Sequence, residues 1–143
     1  MLAIMLVVIS SLIMGSVIGW MVHTKMNVAE KLWGVFCLLP AGWIALFYTF
    51  VVRAYFKLGY WPMPSQPDPK DLAFYIHPLA IWLSFPVMIF SVVIFGLVVL
   101  SQGRKHGQHP WWRLMALVYI VTLLVWLGVM RIDPGHFLEW FVD

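Results

Sequence analysis

Long apolar runs separated by short polar stretches dominate the chain. Crossing the hydrocarbon core of a bilayer takes about 20 apolar residues in a helix. Four segments reach that length, at residues 2–22, 32–52, 78–100 and 114–130. None of them carries a charged side chain in its middle, and a backbone within lipid satisfies its own hydrogen bonds by forming a helix. The pattern predicts an all-α integral membrane four-helix bundle, with residues 1–143 as a single membrane domain.

Polar motifs mark where helices are expected to begin. Asn27 and Glu30 have the spacing of a capping box and precede the second span. An Asp-Pro pair occurs at the start of each of two further segments: Asp68-Pro69 at the segment 69–76, and Asp133-Pro134 just before the segment 136–142. Aspartate caps a helix and proline fits its first position, so we expect two short helices there. We place both at the membrane interface.

Composition supports membrane insertion. Hydrophobic residues make up 63% of the chain and charged residues only 10%, against roughly 25% charged in a typical soluble domain. A chain this short cannot bury that much apolar surface in its own core, so lipid or other membrane proteins must cover it. Residues 1–20 lack a basic start and a small-residue cleavage site, and we interpret them as a retained span. The single cysteine, Cys37, excludes an internal disulfide.

Loop charges give a prediction of orientation. Four spans place both termini on one membrane face, here named side A, and the opposite face is side B. Side B is predicted to hold five basic residues, Lys25, Lys31, Arg104, Lys105 and Arg113. Side A is predicted to hold four, Arg53, Lys57, Lys70 and Arg131. Because basic loops tend to stay in the cytoplasm, we expect both termini outside it, in a bacterial inner (plasma) membrane.

The five histidines are the candidate cofactor ligands. His77 and His136 belong to side A, and His23, His106 and His109 belong to side B. A haem b site in a helix bundle needs two facing imidazoles, and same-side pairs are topologically possible. Every histidine lies at or beyond the end of a span, however. No cofactor is therefore expected, and a haem b-binding anchor or quinone-linked electron carrier stays an alternative.

Other chemistry has little support in the sequence. No nucleophile–base pair, phosphate-binding glycine loop or metal-ligand spacing is recognisable, so we expect neither an enzyme nor a metal site. The spans hold no charged group of the kind that ion carriers use. Pro40 and Pro86 could kink the second and third spans, which leaves a transport-associated protein or a pore for a neutral solute as another alternative. The net charge of +3 does not indicate a nucleic-acid partner.

Two features indicate possible contact surfaces. Ser11, Gly15 and Gly19 lie four residues apart and form a stripe that admits a close neighbouring helix, either within the monomer or from a partner. The second feature is the proline-rich segment 60–69, a stiff loop that could serve as a connector or as a docking ridge. Its candidate contact residues are Trp61, Pro62, Met63 and Pro64, with Trp61 and Met63 expected to be exposed.

These observations favour a non-catalytic accessory subunit of a larger membrane complex, in an energy-transducing or transport assembly. The chain has almost no mass outside its spans, no titratable groups in the middle of them, and a small-residue stripe suited to helix contact. Its expected partners are membrane lipid and other membrane protein subunits.

Overall fold

The computed structural model describes residues 2–64, 68–106 and 110–142, with the side chains of Lys70 and of residues 102–106 left outside the described part. Within it the chain forms helices α1 (Leu2–His23), α2 (Val28–Cys37), α3 (Leu39–Leu58), α4 (Ile76–His106), α5 (Pro110–Ile132) and α6 (Phe137–Val142). The described residues are all-α, as predicted. Four segments are long and apolar enough to cross a membrane: Leu2–His23, Leu39–Leu58, Ile76–Ser101 and Pro110–Ile132.

The second predicted span, residues 32–52, is divided between α2 and α3. The break falls at Leu38, whose N–H donates to the carbonyl of Val35 over 3.1 Å. Pro40 follows at the start of α3 and has no N–H to give to the carbonyl of Phe36, four residues earlier. Proline therefore ends one helix and opens the next. The capping box at the start of α2 is confirmed: the Asn27 side chain accepts the backbone N–H of Glu30 over 2.8 Å, and the Glu30 carboxylate accepts the backbone N–H of Asn27 over 2.9 Å.

Helix α3 is the central element of the bundle. It packs against α1, α4 and α5, while α2 packs mainly against α5. Its side chains are mostly buried, and Phe47, Tyr48, Phe50 and Val51 are fully enclosed. Aromatic rings and helix α3 itself fill the centre of the bundle.

The two ends of the bundle match the predicted sides. On side A, the first residues of α1, the loop at Trp61–Met63 and the turn at Pro134–Phe137 surround one cavity. On side B, the end of α1 meets the start of α5, where the rings of Trp20 and Trp111 lie 4.2 Å apart. The start of α2 joins them, since the Trp111 indole N–H donates to the carbonyl of Glu30 over 3.4 Å.

The segment between α3 and α4 is less helical than predicted. A 3₁₀ turn covers only Pro69–Leu72, and α4 begins at Ile76. Ala73 stops the turn because its φ of 55° is left-handed. Cations at the end of α3 hold the segment down: the Lys57 ammonium donates to the carbonyl of Leu72 over 2.6 Å, and the Arg53 guanidinium lies 4.0 Å from the centre of the Phe74 ring.

Helix α6 forms within the predicted segment but is packed into the bundle more deeply than an interfacial helix. Phe137, Trp140 and Phe141 are buried, and the rings of Trp140 and Phe50 stack 5.6 Å apart. The preceding turn requires Gly135, whose φ is 92° and whose missing Cβ would lie 2.7 Å from the Phe137 ring.

Candidate functional site

The small-residue stripe of α1 faces away from the bundle. Ala3, Ser10 and Met21 form the buried side of the helix, whereas Ser11 and Gly15 are exposed. A Cβ added at Gly15 or Gly19 would meet nothing within 4 Å. Helix α1 packs against α3 within the monomer, with open space where a Cβ at Gly15 or Gly19 would lie.

The proline-rich loop is more closely packed than expected. Trp61 was expected to be exposed, but it is half-buried and stacks on Tyr55 with ring centres 4.3 Å apart. Pro62 is fully buried. Met63 is 63% exposed, as expected, and Pro64 is half-buried. Residues 65–67 lie outside the described part of the chain. Packing of the Trp61 ring explains the difference, because its other neighbour is Phe137 of α6, 5.9 Å away.

The candidate histidines are engaged separately where they are described. The Nε2 atom of His77 lies 2.9 Å from the carbonyl of Leu46 in α3, and its ring meets Phe50 edge-on. His136 is exposed, and its Nδ1 lies 3.0 Å from a carboxylate oxygen of Glu139. His23 is exposed at the end of α1. The side chain of His106 and all of His109 lie outside the described part. The described contacts thus pair no two histidines in the manner of a haem b site.

The structure brings together two carboxylates and one imidazole, a grouping that was not predicted from the sequence. Ligand atoms of Asp133, His136 and Glu139 lie within 4.8 Å of one another. The Asp133 carboxylate accepts the backbone N–H groups of Leu138 and Glu139, over 2.8 and 2.9 Å, and so caps α6. The sequence signal for this group is the three-residue spacing of Asp133, His136 and Glu139 across a turn. By composition the group could hold a divalent cation, but capping alone explains the position of Asp133.

A cleft of about 280 Å³ opens beside this group. Helices α3, α4 and α6 form its walls together with the end of α5. Its lining is aromatic and aliphatic apart from Glu139. The walls carry four rings, those of Trp43, Trp82, Phe85 and Phe141. The sequence could not reveal the cleft, because its walls come from residues up to about a hundred positions apart.

A second aromatic layer lies toward side B. Trp33 stacks on Phe95 and Trp112, with ring centres 5.6 and 4.8 Å away. Tyr119 stacks on Phe95 at 4.2 Å, and its hydroxyl lies 2.8 Å from that of Ser91. Cys37 is fully buried beneath this layer. These residues form part of the packed core, and none of them lines the cleft beside α6.

Fold and surface together define the class: an all-α helical bundle with four helices able to cross a membrane and with apolar faces suited to lipid. Comparison of the chain with protein-family models, with curated proteins and with solved structures gives no match.

Proposed function

We propose that the protein is a non-catalytic accessory subunit of a larger membrane complex, in an energy-transducing or transport assembly. The observation that carries the proposal is the outward small-residue stripe of α1. Ser11 and Gly15 are exposed, and among the described residues a Cβ added at Gly15 or Gly19 would meet nothing within 4 Å.

The glycines of this stripe come at a cost to the helix. Glycine inside a helix is about 1 kcal/mol less favourable than alanine. In a membrane helix that cost is offset when small residues let a second backbone approach closely. Since no helix of this chain approaches Gly15 or Gly19 in the described part, a helix of another subunit would supply the contact.

Helix α4 adds a second uncovered surface, which carries large apolar side chains rather than small ones. Only 11% of its most apolar window is buried, as for α1. Lipid alone can cover the outward faces of α1 and α4. In a subunit that contacts neighbours on two sides, partner helices would cover these faces instead, so they would be uncovered in the monomer. Of the four candidate contact residues in the proline-rich loop, Met63 is the exposed one, and it would contact a partner outside the membrane on side A.

The test is replacement of both Gly15 and Gly19 by leucine in the tagged chain. A Cβ at either position would meet nothing within 4 Å, so we expect insertion and fold to be retained. Co-purification of the native partners in a mild detergent should fall by about tenfold or more, which corresponds to a loss of about 1.4 kcal/mol. The readout is native gel migration together with mass spectrometry of the band.

A matched control uses a glycine that is equally free of neighbours and lies on a helix outside both proposed contact surfaces. A Cβ at Gly128 in α5 would also meet nothing within 4 Å. Leucine at this position adds an apolar side chain on another face and should leave the complex intact. Unchanged assembly of the Gly15 and Gly19 variant would exclude the stripe as the partner face, and a lone wild-type monomer would exclude the accessory role.

A further inference from the structure

The cleft between α3, α4, α5 and α6 combines aromatic walls with one acidic side chain. Trp43 and Phe85 meet at 61° with ring centres 6.3 Å apart, and Trp82 stacks on Phe141 at 5.8 Å. Among the described residues that line the cleft, Glu139 is the one that ionises. Its side chain is 54% exposed, so this residue forms part of the open edge of the cleft, and one of its carboxylate oxygens lies 3.0 Å from Nδ1 of His136.

This composition selects for positive charge on an apolar body. The face of an aromatic ring carries negative potential and attracts a cation placed within about 6 Å of its centre. A carboxylate at the open edge acts in the same direction. An anionic ligand would be repelled, and a neutral ligand would gain no electrostatic attraction from the carboxylate, which already lies beside His136.

We propose that the cleft binds a small lipophilic organic cation, of the aryl-substituted quaternary ammonium type. The volume of about 280 Å³ lies just below the roughly 300–1,000 Å³ typical of ligand pockets, so the ligand has to be small. The Trp82 ring is 53% exposed, so one wall faces the surroundings of the bundle and gives a lipid-soluble ligand a direct way in.

A phospholipid headgroup is a poorer fit than a free cation. The oxygens of Asp133 and Glu139 belong to one group within 4.8 Å. A zwitterionic headgroup would bring its phosphate next to these two carboxylates, where like charges repel. Arg131, the nearest cation along the chain, does not line the cleft. The free cation is therefore the occupant that the charges favour.

The test compares two probes of nearly equal shape on the full chain in neutral maltoside micelles. Benzyltrimethylammonium carries the charge, and neopentylbenzene replaces its nitrogen by carbon. Isothermal titration calorimetry should show saturable one-to-one binding of the cation and at least about tenfold weaker binding of the neutral compound. Glu139→Gln should weaken cation binding by a similar factor while leaving the neutral compound unaffected.

Two further variants control for damage to the fold. Glu30→Gln removes an equivalent charge from the capping box on side B, where glutamine also caps, and should leave binding unchanged. Trp82→Leu removes an exposed aromatic wall and should weaken cation binding severalfold. Circular dichroism checks that each variant is folded.

Three results would overturn the proposal. Equal binding of both probes would show that the cleft takes any apolar chain. Unchanged affinity in Glu139→Gln would show that the carboxylate is not used. Full displacement of the probe by added phosphatidylcholine at stoichiometric concentration would assign the cleft to a lipid headgroup. None of these results depends on the α1 stripe, so the accessory role stands or falls separately.

Discussion

Tyr119 and Tyr48 are two buried tyrosines whose hydroxyl groups have opposite surroundings. The Ser91 hydroxyl donates to the carbonyl of Met88 over 2.7 Å, so its oxygen is left to accept from Tyr119 at 2.8 Å. The hydroxyl of Tyr48 is buried and has no hydrogen-bond partner among the described residues. An unpaired polar group of this kind lowers stability, whereas a paired one contributes to it.

Removing each hydroxyl should therefore have different effects. Tyr119→Phe should lower the free energy of unfolding by about 0.6 kcal/mol, the average for hydrogen bonds between membrane helices. Tyr48→Phe should be neutral or stabilising, because it removes a buried donor with no acceptor. Thermal unfolding of the two variants in the same detergent measures the difference. A larger loss in Tyr48→Phe than in Tyr119→Phe would contradict this account of the core.

Among the elements, helix α6 depends most on a single side chain. The helix has 6 residues, too few to be stable alone. Packing of Phe137, Trp140 and Phe141 holds it, and the Asp133 carboxylate caps two of its N–H groups. Asp133 itself has a left-handed φ of 40°, so the turn is strained and relies on these contacts.

Asp133→Ala should loosen α6 without disturbing the spans. Loss of a cap costs about 1–2 kcal/mol, enough to raise the open population of this short helix by about tenfold. Hydrogen–deuterium exchange of the α6 amides should accelerate accordingly, while exchange in α3 stays slow. Asp71→Ala is the control, because Asp71 is exposed in the 3₁₀ turn and caps no α-helix. Equal protection of α6 in both variants would show that packing alone holds the helix.

The spans could be predicted from the sequence, whereas the way their faces are turned could not. Length and hydropathy suffice to identify an apolar helix of about 20 residues. In lipid, however, the outward face is as apolar as the inward one, so periodicity does not separate them. The outward direction of Gly15 and the burial of Trp61 depend on contacts between distant elements. The same holds for the α6 packing and for the cleft beside Glu139.

Some local features did follow from neighbouring residues. The capping box at Asn27 and the helix start after Asp133 need only a few consecutive positions, and both are present. The helix predicted at 69–76 is reduced to a 3₁₀ turn, and the reason is also local, because Ala73 has a left-handed conformation. The division of the second span at Leu38 exceeds the kink that Pro40 was expected to cause.

For the whole molecule, the arrangement of the ends makes a topological prediction. Met63 lies on side A and Val28 on side B, and both are exposed. Single cysteines at these positions should react with a membrane-impermeant maleimide from opposite faces, and the predicted orientation has Met63→Cys labelled on intact cells. The native Cys37 is fully buried and serves as the unreactive background. Labelling of both cysteines from one face would contradict the topology, and labelling of Val28→Cys alone would invert the orientation.

The unequal lengths of α3 and α4 tie the bundle to the thickness of its membrane. Within the described part of the chain, the candidate span of α4 has 26 residues and that of α3 has 20, roughly 39 and 30 Å at 1.5 Å per residue. The hydrocarbon core is roughly 30 Å thick, so α3 fits it upright while α4 has to lean or thicken the bilayer around it. Since α4 forms one wall of the cleft beside α6, a thinner bilayer would increase its tilt and change the width of that cleft. Bilayer thickness would then act on the cleft directly, without any ligand or modification.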